Sequence, residues 1–253
     1  VAISADERRI FTGSRDRTAR IWNGESGEQL LEWSSDYDAT SAVFSPDGRY
    51  VLTNMDTQAA IWESTSGTLL RLLDGHTDKV RSAVFSPDGA WILTGSNDQT
   101  ARVWNSLTGE PTIILNEHES SVMCALFTPD GRQILTTDRN QKLRIWSRQS
   151  GKLLNTIPLD IDIIHTLAIS DEGELIVVCD TYGRMLLLQG KEPGLGSVIG
   201  LYVAPYEIRA VSWHKDNSFL LVDRERVNDK PHFYRLKLEN PLADSEGSIV
   251  EDN

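Results

Sequence analysis

The stretch GHTDKVRSAVFSPDGAWILTGSNDQTARVWN, Gly75–Asn105, alternates short apolar segments with turn residues. Its segment Val80–Ser86 is rich in β-branched and apolar residues and is followed by PDG, in which Pro presets φ and Gly accepts a positive φ. Trp91–Ser96 and Thr100–Trp104 have the same character, and the NDQ sequence between them is typical of a tight turn. After the turn SLTGE, Pro111–Leu115 completes the set. These residues therefore predict a unit of four short antiparallel strands.

The same unit recurs along the chain, and three markers keep its period. A turn string related to FSPDG lies at Ala2–Glu7, Val43–Gly48, Val84–Gly89, Leu126–Gly131 and Ala168–Gly173. Tryptophans separated by 40, 42 and 42 residues lie at Trp22, Trp62, Trp104 and Trp146. A Ser-Gly or Thr-Gly pair lies at Ser26-Gly27, Ser66-Gly67, Thr108-Gly109 and Ser150-Gly151. No segment has a sustained helical period, so we expect an all-β protein of repeated four-stranded blades, which is a β-propeller.

The repeat predicts about six blades in this chain, with the first and the last incomplete. The units are about 1–37, 38–78, 79–119, 120–161, 162–205 and 206–240. Residues 241–253 form an acidic tail that we expect to be flexible. The last unit reaches its third strand at Phe233–Glu239, and the residues after it look like poor strand formers. We therefore expect residues upstream of Val1 to supply a missing strand and close a ring of six or seven blades.

The residues Gly75–Asn105 resemble a WD repeat almost throughout, and the resemblance extends from Val1 to about Asn240. It is most specific in the second, third and fourth units, and Leu188 replaces the repeated Trp in the fifth. The Asp that names the family is absent after every Trp; the residues there are Asn23, Glu63, Asn105 and Ser147. A complete Gly-His pair occurs only at Gly75-His76. The resemblance implies a WD-repeat propeller whose blades differ in stability.

In WD repeats a His, a strand Thr, a turn Asp and a strand Trp share a hydrogen-bond network inside each blade. The resemblance implies such sets at His76, Thr94, Asp98 and Trp104; His118, Thr136, Asn140 and Trp146; Thr12, Asp16 and Trp22; and Thr53, Asp56 and Trp62. The first of these sets also has the residue types of a catalytic triad. We favour a structural role, because a buried polar network is useful only when every member is satisfied.

WD propellers often bind partners on the top face, which is made of the loops before the first strands and the turns between the second and third strands. The resemblance implies a partner-binding set of Arg15, Arg17, Lys79, Arg81, Asn97, Met123, Arg139 and Gln141. Basic residues are frequent in this set although the chain is acidic overall. One interpretation is that loop tips are simply polar. The other is a locally basic ring that receives an acidic peptide or protein loop, because Arg pairs bidentately with carboxylates.

Composition argues against several other classes of function. The formal net charge of −12 disfavours nucleic acid as a partner. No apolar run has the length of a membrane helix, so no membrane partner is expected. The two cysteines, Cys124 and Cys179, lie in apolar runs with no CxxC pair, which favours reduced core thiols and a cytoplasmic location. The histidines have no metal-ligand spacing and no catalytic motif is present, so we expect neither enzymatic activity nor a cofactor.

The sequence favours a non-catalytic platform for protein–protein interaction, serving as a ligand-sensing or regulatory domain of a larger protein. An architectural scaffold in a permanent complex is the alternative, and a catalytic propeller fits least well. The chain resembles the C-terminal propellers of large bacterial NACHT or STAND signalling proteins. The resemblance lies in the short VFSPDG repeats and in the degenerate last unit, which ends in PHFYRLKLE. That resemblance implies an ATPase or effector domain upstream of Val1 in the same polypeptide.

Overall fold

The structure is a computed structural model that describes residues 1–14, 16–34, 41–191 and 194–203, together with the backbone of four later strands. In these residues the chain forms 24 β-strands and no helix. Blade 1 comprises β1 (Ala2–Ile3), β2 (Arg9–Gly13), β3 (Thr18–Asn23) and β4 (Gln29–Ser34). Blade 2 comprises β5 (Ala42–Phe44), β6 (Tyr50–Met55), β7 (Gln58–Glu63) and β8 (Leu69–Leu73). Blade 3 comprises β9 (Val80–Phe85), β10 (Trp91–Ser96), β11 (Ala101–Asn105) and β12 (Pro111–Leu115).

The remaining strands continue the pattern. Blade 4 comprises β13 (Val122–Phe127), β14 (Gln133–Asp138), β15 (Lys142–Ser147) and β16 (Leu153–Pro158). Blade 5 comprises β17 (Ile164–Ile169), β18 (Leu175–Asp180), β19 (Arg184–Gln189) and β20 (Val198–Val203). Blade 6 comprises β21 (Ile208–His214), β22 (Ser218–Asp223), β23 (Phe233–Leu238) and β24 (Ile249–Asp252). The predicted all-β class and the predicted architecture of about six blades are confirmed.

Each blade is one antiparallel sheet whose four strands pair in chain order. The first strand of each blade contacts the first strand of the next, in the order β1, β5, β9, β13, β17 and β21. The first strands are therefore innermost, and the fourth strands form the outer edges of the blades. Consecutive strands are antiparallel, so the SPDG-type turns lie at one end of the blades and the turns between second and third strands lie at the other, which is the top face. Closure of the ring by six or seven blades stays a prediction.

The SPDG-type turn is held by its own side chains, as blade 3 illustrates. Ser86 Oγ donates to Asp88 Oδ1 at 2.5 Å, and the same carboxylate oxygen accepts from the Ala90 amide at 3.0 Å. The Trp91 amide then donates to Ser86 Oγ at 2.9 Å, which joins the turn to the start of β10. Gly89 takes φ +70°, a conformation that favours glycine. Corresponding Ser- or Thr-to-Asp bonds occur in blades 1, 2 and 4.

The hydrophobic core is divided among the spaces between neighbouring blades. In the second strand of blade 2, Val51 packs with residues of blade 1 and Leu52 packs with residues of blade 3. Successive side chains of a strand point to opposite faces, so alternate residues pack on opposite neighbours. Blades 2, 3, 4 and 5 are buried in this way on both faces. This explains why their second strands are buried at consecutive positions and not at alternate ones.

The repeated tryptophan marks an irregularity that recurs in the first five blades. The pairing of the third strand with the fourth shifts register at Trp22, Trp62, Trp104, Trp146 and Leu188. Trp104 packs with the core residues of blade 2, and Trp146 packs with those of blade 3. Leu188 takes the same place against blade 4. An aliphatic residue at this position therefore preserves the contact between blades but supplies no ring N–H.

The expected gap at the end of the last blade is not present. Strand β24 pairs antiparallel with β23, with Ile249 opposite Leu238 and Asp252 opposite Arg235. The prediction that residues 241–253 form only a flexible tail is therefore wrong for Ile249–Asp252. Two β-branched residues, Ile249 and Val250, begin that strand, and pairing satisfies backbone groups along β23 that would otherwise form an open edge. Blade 6 has four strands, so it leaves no gap for a strand from upstream of Val1 to fill.

Candidate partner-binding face

Blade 3 contains a continuous hydrogen-bonded chain of four side chains. The Trp104 ring N–H donates to Thr94 Oγ1 at 2.8 Å, and Thr94 Oγ1 lies 2.7 Å from His76 Nε2. The other ring nitrogen, His76 Nδ1, lies 2.7 Å from Asp98 Oδ2. Thr100 Oγ1 donates to the second carboxylate oxygen of Asp98 at 2.7 Å. If His76 carries its proton on Nδ1, every donor in the chain has an acceptor.

This chain of side chains has the composition of a catalytic triad but not its accessibility. Thr94 and Trp104 have no exposed surface, and His76 is 5% exposed. The pKa of His76 is lowered, mainly because burial disfavours the imidazolium, although Asp98 opposes that effect. Burial raises the pKa of Asp98, but the hydrogen bonds from Thr100 and His76 outweigh it and hold that pKa below its usual value. A substrate cannot reach the Thr94 hydroxyl, so the arrangement serves to join strands β10 and β11 to the loop before β9 and to the turn between β10 and β11.

Blade 4 holds only part of the corresponding network. His118 Nε2 lies 2.8 Å from Thr136 Oγ1, and the Trp146 ring N–H donates to the same hydroxyl at 2.8 Å. Asn140 is exposed on the turn, and its backbone amide, not its side chain, is bonded, to Asp138 Oδ1 at 3.0 Å. His118 Nδ1 is buried without a hydrogen-bond partner among the described residues. The expected inclusion of Asn140 in the network is therefore wrong: its side chain is exposed on a turn of the same length as that of blade 3 and does not bond to His118, whereas Asp98 bonds to His76.

Blades 1 and 2 keep the Thr–Trp bond but not the rest. Trp22 Nε1 donates to Thr12 Oγ1 at 2.7 Å, and Trp62 Nε1 donates to Thr53 Oγ1 at 2.8 Å. Asp16 bonds within its turn, where it accepts from the Thr18 amide and hydroxyl at 2.9 and 2.6 Å. Asp56 is exposed, and its backbone carbonyl accepts from the Val80 amide of the next blade at 2.7 Å. Both aspartates therefore shape the top-face turns and do not complete the predicted networks.

Two ion pairs that each contain a buried aspartate were not anticipated from the sequence. Asp138 has no exposed surface and pairs with the guanidinium of Arg144, which is 2% exposed. In blade 5, Asp180 is fully buried and accepts from Arg184 Nε at 2.7 Å. The signal in the sequence is a carboxylate at the last position of the second strand. Three other blades have Ser14, Met55 and Ser96 at that position.

The structure brings the predicted top-face residues of blades 3 and 4 together. The Asn97 amide donates to the Lys79 carbonyl at 3.0 Å, and Arg81 Nε donates to Asn97 Oδ1 at 2.8 Å. The Arg139 amide donates to the Ser121 carbonyl at 3.0 Å, and the Ser121 hydroxyl reaches the Asn97 carbonyl at 3.5 Å. These bonds connect the loop before each first strand to the turn after each second strand, both within a blade and between the two blades.

The remaining members of the predicted set differ in position and exposure. Lys79, Arg81 and Arg139 are exposed, whereas Asn97, Met123 and Gln141 are half-buried. Arg17 is exposed in the blade 1 turn, and no described bond joins it to blades 3 and 4. Arg15 lies outside the described residues. The face also carries the exposed acids Asp56 and Asp78, so it is a mixed surface and not a uniformly basic ring.

The top-face turns share an uncommon backbone conformation. Arg17, Asp56, Gln99 and Gln141 have φ values of +67°, +50°, +67° and +59°. In blade 5 the turn position just before the third strand is Gly183, with φ +82°. The left-handed region costs a residue with a Cβ roughly 1–2 kcal/mol relative to its ordinary conformation. Four blades therefore keep a side chain where glycine would fit more easily.

The cations of this face are available for pairing. Among the described residues, Arg17, Lys79, Arg81 and Arg139 form no ion pair with a carboxylate. Three acids of this region are already engaged, Asp98 with His76, Glu119 with Lys142 and Asp138 with Arg144, whereas the exposed Asp56 and Asp78 are in no ion pair among the described residues. The part of the chain that the structure describes contains no group of three or more His, Cys, Asp or Glu side chains suited to a metal ion. No membrane-spanning helix is found in the same part of the chain.

The six antiparallel four-stranded blades define the chain as a β-propeller of the repeat type. The family model described as WD domain, G-beta repeat matches residues 1–23, 67–105 and 109–147. Those three segments are WD40 repeats, and the repeated four-stranded antiparallel sheets are consistent with a WD-repeat β-propeller. No curated protein matches the sequence. WD40 repeats generally mediate protein–protein interactions, and WD40 propellers are typically non-catalytic interaction domains.

The matched segments are offset from the blades. Residues 67–105 cover β8 of blade 2 and then β9, β10 and β11 of blade 3. Residues 109–147 cover β12 of blade 3 and then β13, β14 and β15 of blade 4. Each of these repeats therefore contributes the outer strand of one blade and the three inner strands of the next. The matches leave out residues 24–66, where the second unit lacks the His and has the shortest turn between its second and third strands.

Proposed function

We propose that this chain captures a partner protein or peptide on its top face and acts as a ligand-sensing or regulatory domain of a larger protein. The observation that best supports this proposal is that Arg17, Gln99 and Gln141, in the top-face turns of three blades, adopt the left-handed backbone conformation. Strained backbone geometry is retained where the surrounding structure and function require it. A side chain kept at each of these turns, instead of glycine, supports a role for those side chains in contacts with a partner.

The charges of the face indicate the chemistry of that partner. Lys79, Arg81 and Arg139 are exposed on loops whose backbone is fixed by hydrogen bonds, so little order is lost when they pair. Guanidinium groups bind carboxylates bidentately and stack on aromatic rings. The partner that fits best is an extended segment containing Asp or Glu, with a basic group that reaches Asp56 or Asp78. The net charge of −12 makes nucleic acid and anionic membranes poor competitors.

The proposed place of this domain in a larger protein depends on the resemblance of its repeats to the propellers of bacterial NACHT or STAND proteins. In such an arrangement, an upstream ATPase or effector domain of the same polypeptide would be held inactive until the propeller binds its trigger. The free thiols of Cys124 and Cys179 are consistent with the cytoplasm, where such proteins act.

The top-face proposal is tested by reversing its charges. We expect simultaneous Arg15→Glu, Arg81→Glu and Arg139→Glu to abolish partner capture, because the acidic segment would then face carboxylates. The measurement is quantitative mass spectrometry of proteins retained from the source cells by the immobilised propeller. Thermal unfolding should change little, because Arg81 and Arg139 are exposed, the bond from Arg81 to Asn97 is exposed as well, and the described residues hold no ion pair to either arginine.

A matched control carries the same change in net charge on the opposite face. Arg8, Arg49 and Arg132 are exposed in the SPDG-type turns, and their replacement by Glu should leave capture intact. Retention of the same proteins by the top-face variant, or loss with the control variant alone, would contradict the proposal.

An architectural scaffold in a permanent complex is the second candidate. It is favoured by one observation, the exposed apolar residues Val198, Leu201 and Val203 on an outer strand. A permanent partner would bury such a surface continuously, whereas the polar top face suits reversible recognition. The dependence of binding on salt concentration distinguishes the two candidate functions. Capture through the charged top face should weaken as ionic strength is raised, whereas a permanent apolar contact should not.

A further inference from the structure

The first strand of blade 3 contains a β-bulge near the top face. Gly95 lies opposite Ser82, whereas the residue after Gly95 lies opposite Val80. Arg81 is therefore an extra residue without a partner in β10. A bulge bends its strand locally and turns the side chain of the extra residue away from the regular ladder. Since Arg81 is exposed, the bulge presents its guanidinium at the top of an innermost strand.

The same bulge recurs in the next two blades with different side chains. The pairing of β13 with β14 leaves out Met123, and the pairing of β17 with β18 leaves out His165. Strands β9 and β13 are in direct contact, because the Ser82 hydroxyl donates to the Ala125 carbonyl at 3.2 Å. Met123 is half-buried. An arginine and a thioether thus occupy equivalent bulges on adjacent first strands.

The side chain of Arg81 is held in one orientation by Asn97. The Arg81 Nε–H donates to Asn97 Oδ1 at 2.8 Å. Asn97 is itself fixed, because its amide donates to the Lys79 carbonyl at 3.0 Å and its carbonyl lies 3.5 Å from the Ser121 hydroxyl. Within the part of the chain that the structure describes, the terminal nitrogens Nη1 and Nη2 of Arg81 form no hydrogen bond or ion pair. The edge of the guanidinium between these two nitrogens is therefore available to a ligand.

We propose that Arg81 binds a side-chain carboxylate of the partner end-on, through Nη1 and Nη2, and that Met123 receives an apolar side chain next to it. This assignment rests on the proposed function and specifies the partner: a segment in which Asp or Glu adjoins a large apolar residue. A carboxylate accepts two parallel N–H bonds from one edge of a guanidinium. The edge that includes Nε is already used, so Asn97 is a positioning residue that selects the end-on mode. The flexible thioether of Met123 adapts to apolar side chains of different shapes.

The other cations of the top face are not held in this way. The side chains of Lys79 and Arg139 are exposed and form no bond among the described residues. A side chain that is already held in its binding conformation loses less entropy when it pairs. Lysine also lacks the planar fork that matches a carboxylate. Lys79 and Arg139 therefore attract an acidic segment, whereas Arg81 determines which group binds and in what geometry.

The test is an NMR titration of the isotope-labelled whole chain with a peptide of defined sequence, acetyl-Gly-Leu-Glu-Leu-Gly-amide. The Arg81→Lys change keeps the charge but removes the fork, so it should raise the peptide Kd about tenfold. The matched control, Arg139→Lys, should leave the Kd unchanged. Both residues are exposed, and thermal unfolding checks that both variants remain folded. Arg81→Gln replaces Arg81→Lys if that variant does not fold.

The role of Asn97 is tested by a double-mutant cycle. Asn97→Ala releases the Arg81 Nε–H and should raise the peptide Kd about threefold, because the guanidinium must then be ordered on binding. The same change should have no effect in the Arg81→Lys background, where no guanidinium is left to orient. Equal losses in the two backgrounds would mean that Asn97 acts only on the structure of the turn.

Two altered peptides test the chemistry of the ligand. Replacing Glu by Gln removes the carboxylate, and replacing both Leu by Ser removes the apolar contact, so each peptide should bind more weakly than the parent. A wild-type chain that does not bind the parent peptide at millimolar concentration overturns the proposal. Equal effects of the two lysine variants, or tighter binding of a peptide with phosphoserine in place of Glu, also overturn it.

The charge-reversed variant with Glu at positions 15, 81 and 139 separates this proposal from the broader one. Loss of partner capture by that variant, together with equal effects of the two lysine variants on the peptide Kd, would reject only the assignment of Arg81. Undiminished capture by the charge-reversed variant would instead reject the proposed function of the top face.

Discussion

Two histidines that occupy equivalent places in blades 3 and 4 have different surroundings. His76 uses both ring nitrogens, one toward Thr94 and one toward Asp98. His118 uses one, toward Thr136, and its Nδ1 has no partner among the described residues. The difference arises from a single turn position, because Asp98 turns inward in blade 3 and Asn140 faces solvent in blade 4.

At this scale the two histidines should respond differently to removal. We expect His76→Ala to lower the free energy of unfolding by about 1–3 kcal/mol, because Asp98 and Thr94 each lose a buried hydrogen bond. His118→Ala should cost less, because it orphans only Thr136 and removes a nitrogen that was already unsatisfied. Urea unfolding of both variants at pH 7 measures the difference. Equal losses would mean that ring packing against Trp104 and Trp146 dominates over the hydrogen bonds.

His118 should also give the fold a specific pH dependence. Burial, reinforced by the positive charge of Arg144, lowers the pKa of His118 from 6.5 to about 4. Between these values the unfolded chain binds a proton at this site and the folded chain does not, so stability falls as the pH is lowered from 6.5 to 4. The contribution lost over that window is on the order of 3 kcal/mol.

The measurement compares wild type with His118→Gln, which cannot protonate. Urea unfolding at pH 7 and pH 5 should show a smaller loss of stability in the variant than in the wild type. An identical pH dependence in both proteins would indicate that the imidazole of His118 titrates normally in the folded state.

At the scale of elements, the turns between second and third strands carry the strongest link between geometry and function. Gln99 and Gln141 adopt positive φ in the turns that hold the exposed cations of the top face. The backbone of these turns is bonded to the loops before the first strands, so we expect a change in the turn side chains to leave the strands in place.

The Gln99→Gly variant separates the conformational cost of positive φ in this turn from the role of the side chain in partner binding. We expect the variant to be more stable by about 1 kcal/mol, because glycine adopts positive φ without a Cβ clash. Capture of the partner should nevertheless weaken, because a contact on the top face is removed. Thermal unfolding and the capture assay together test this expectation. A stabilised variant with undiminished capture would show that the Gln99 side chain has no part in recognition.

The strands themselves could be predicted from the sequence because the same turn residues and strand segments recur in each blade. Pro87, Asp88 and Gly89 set the turn, and the apolar run Trp91–Ser96 follows wherever both faces are buried. The last strand was missed because its acidic context outweighed Ile249 and Val250, and pairing with a neighbour is not visible in local sequence. Asp98 bonds to His76 and Asn140 is exposed although the two residues hold the same position in turns of equal length, so the repeat pattern alone does not predict the difference.

For the whole molecule, the five core clusters between successive blades mean that stability is shared along the chain. A blade is not independent, because alternate residues of its strands pack on different neighbours. The buried pairs Asp138–Arg144 and Asp180–Arg184 were not predicted, because burial of a charge depends on how neighbouring blades pack. The sequence could identify the top-face residues, but it could not indicate which of them bond to one another.

The offset between the repeats and the blades has a consequence for how such chains can change in length. Gly67 and Gly109 occupy equivalent positions at the start of successive matched segments, just before β8 and β12. Excising or duplicating residues 67–108 would therefore join a third strand to a fourth strand of the same type, and every sheet would still contain four strands. Duplication or deletion of one such segment in the gene would thus change the number of blades without leaving a sheet of fewer than four strands.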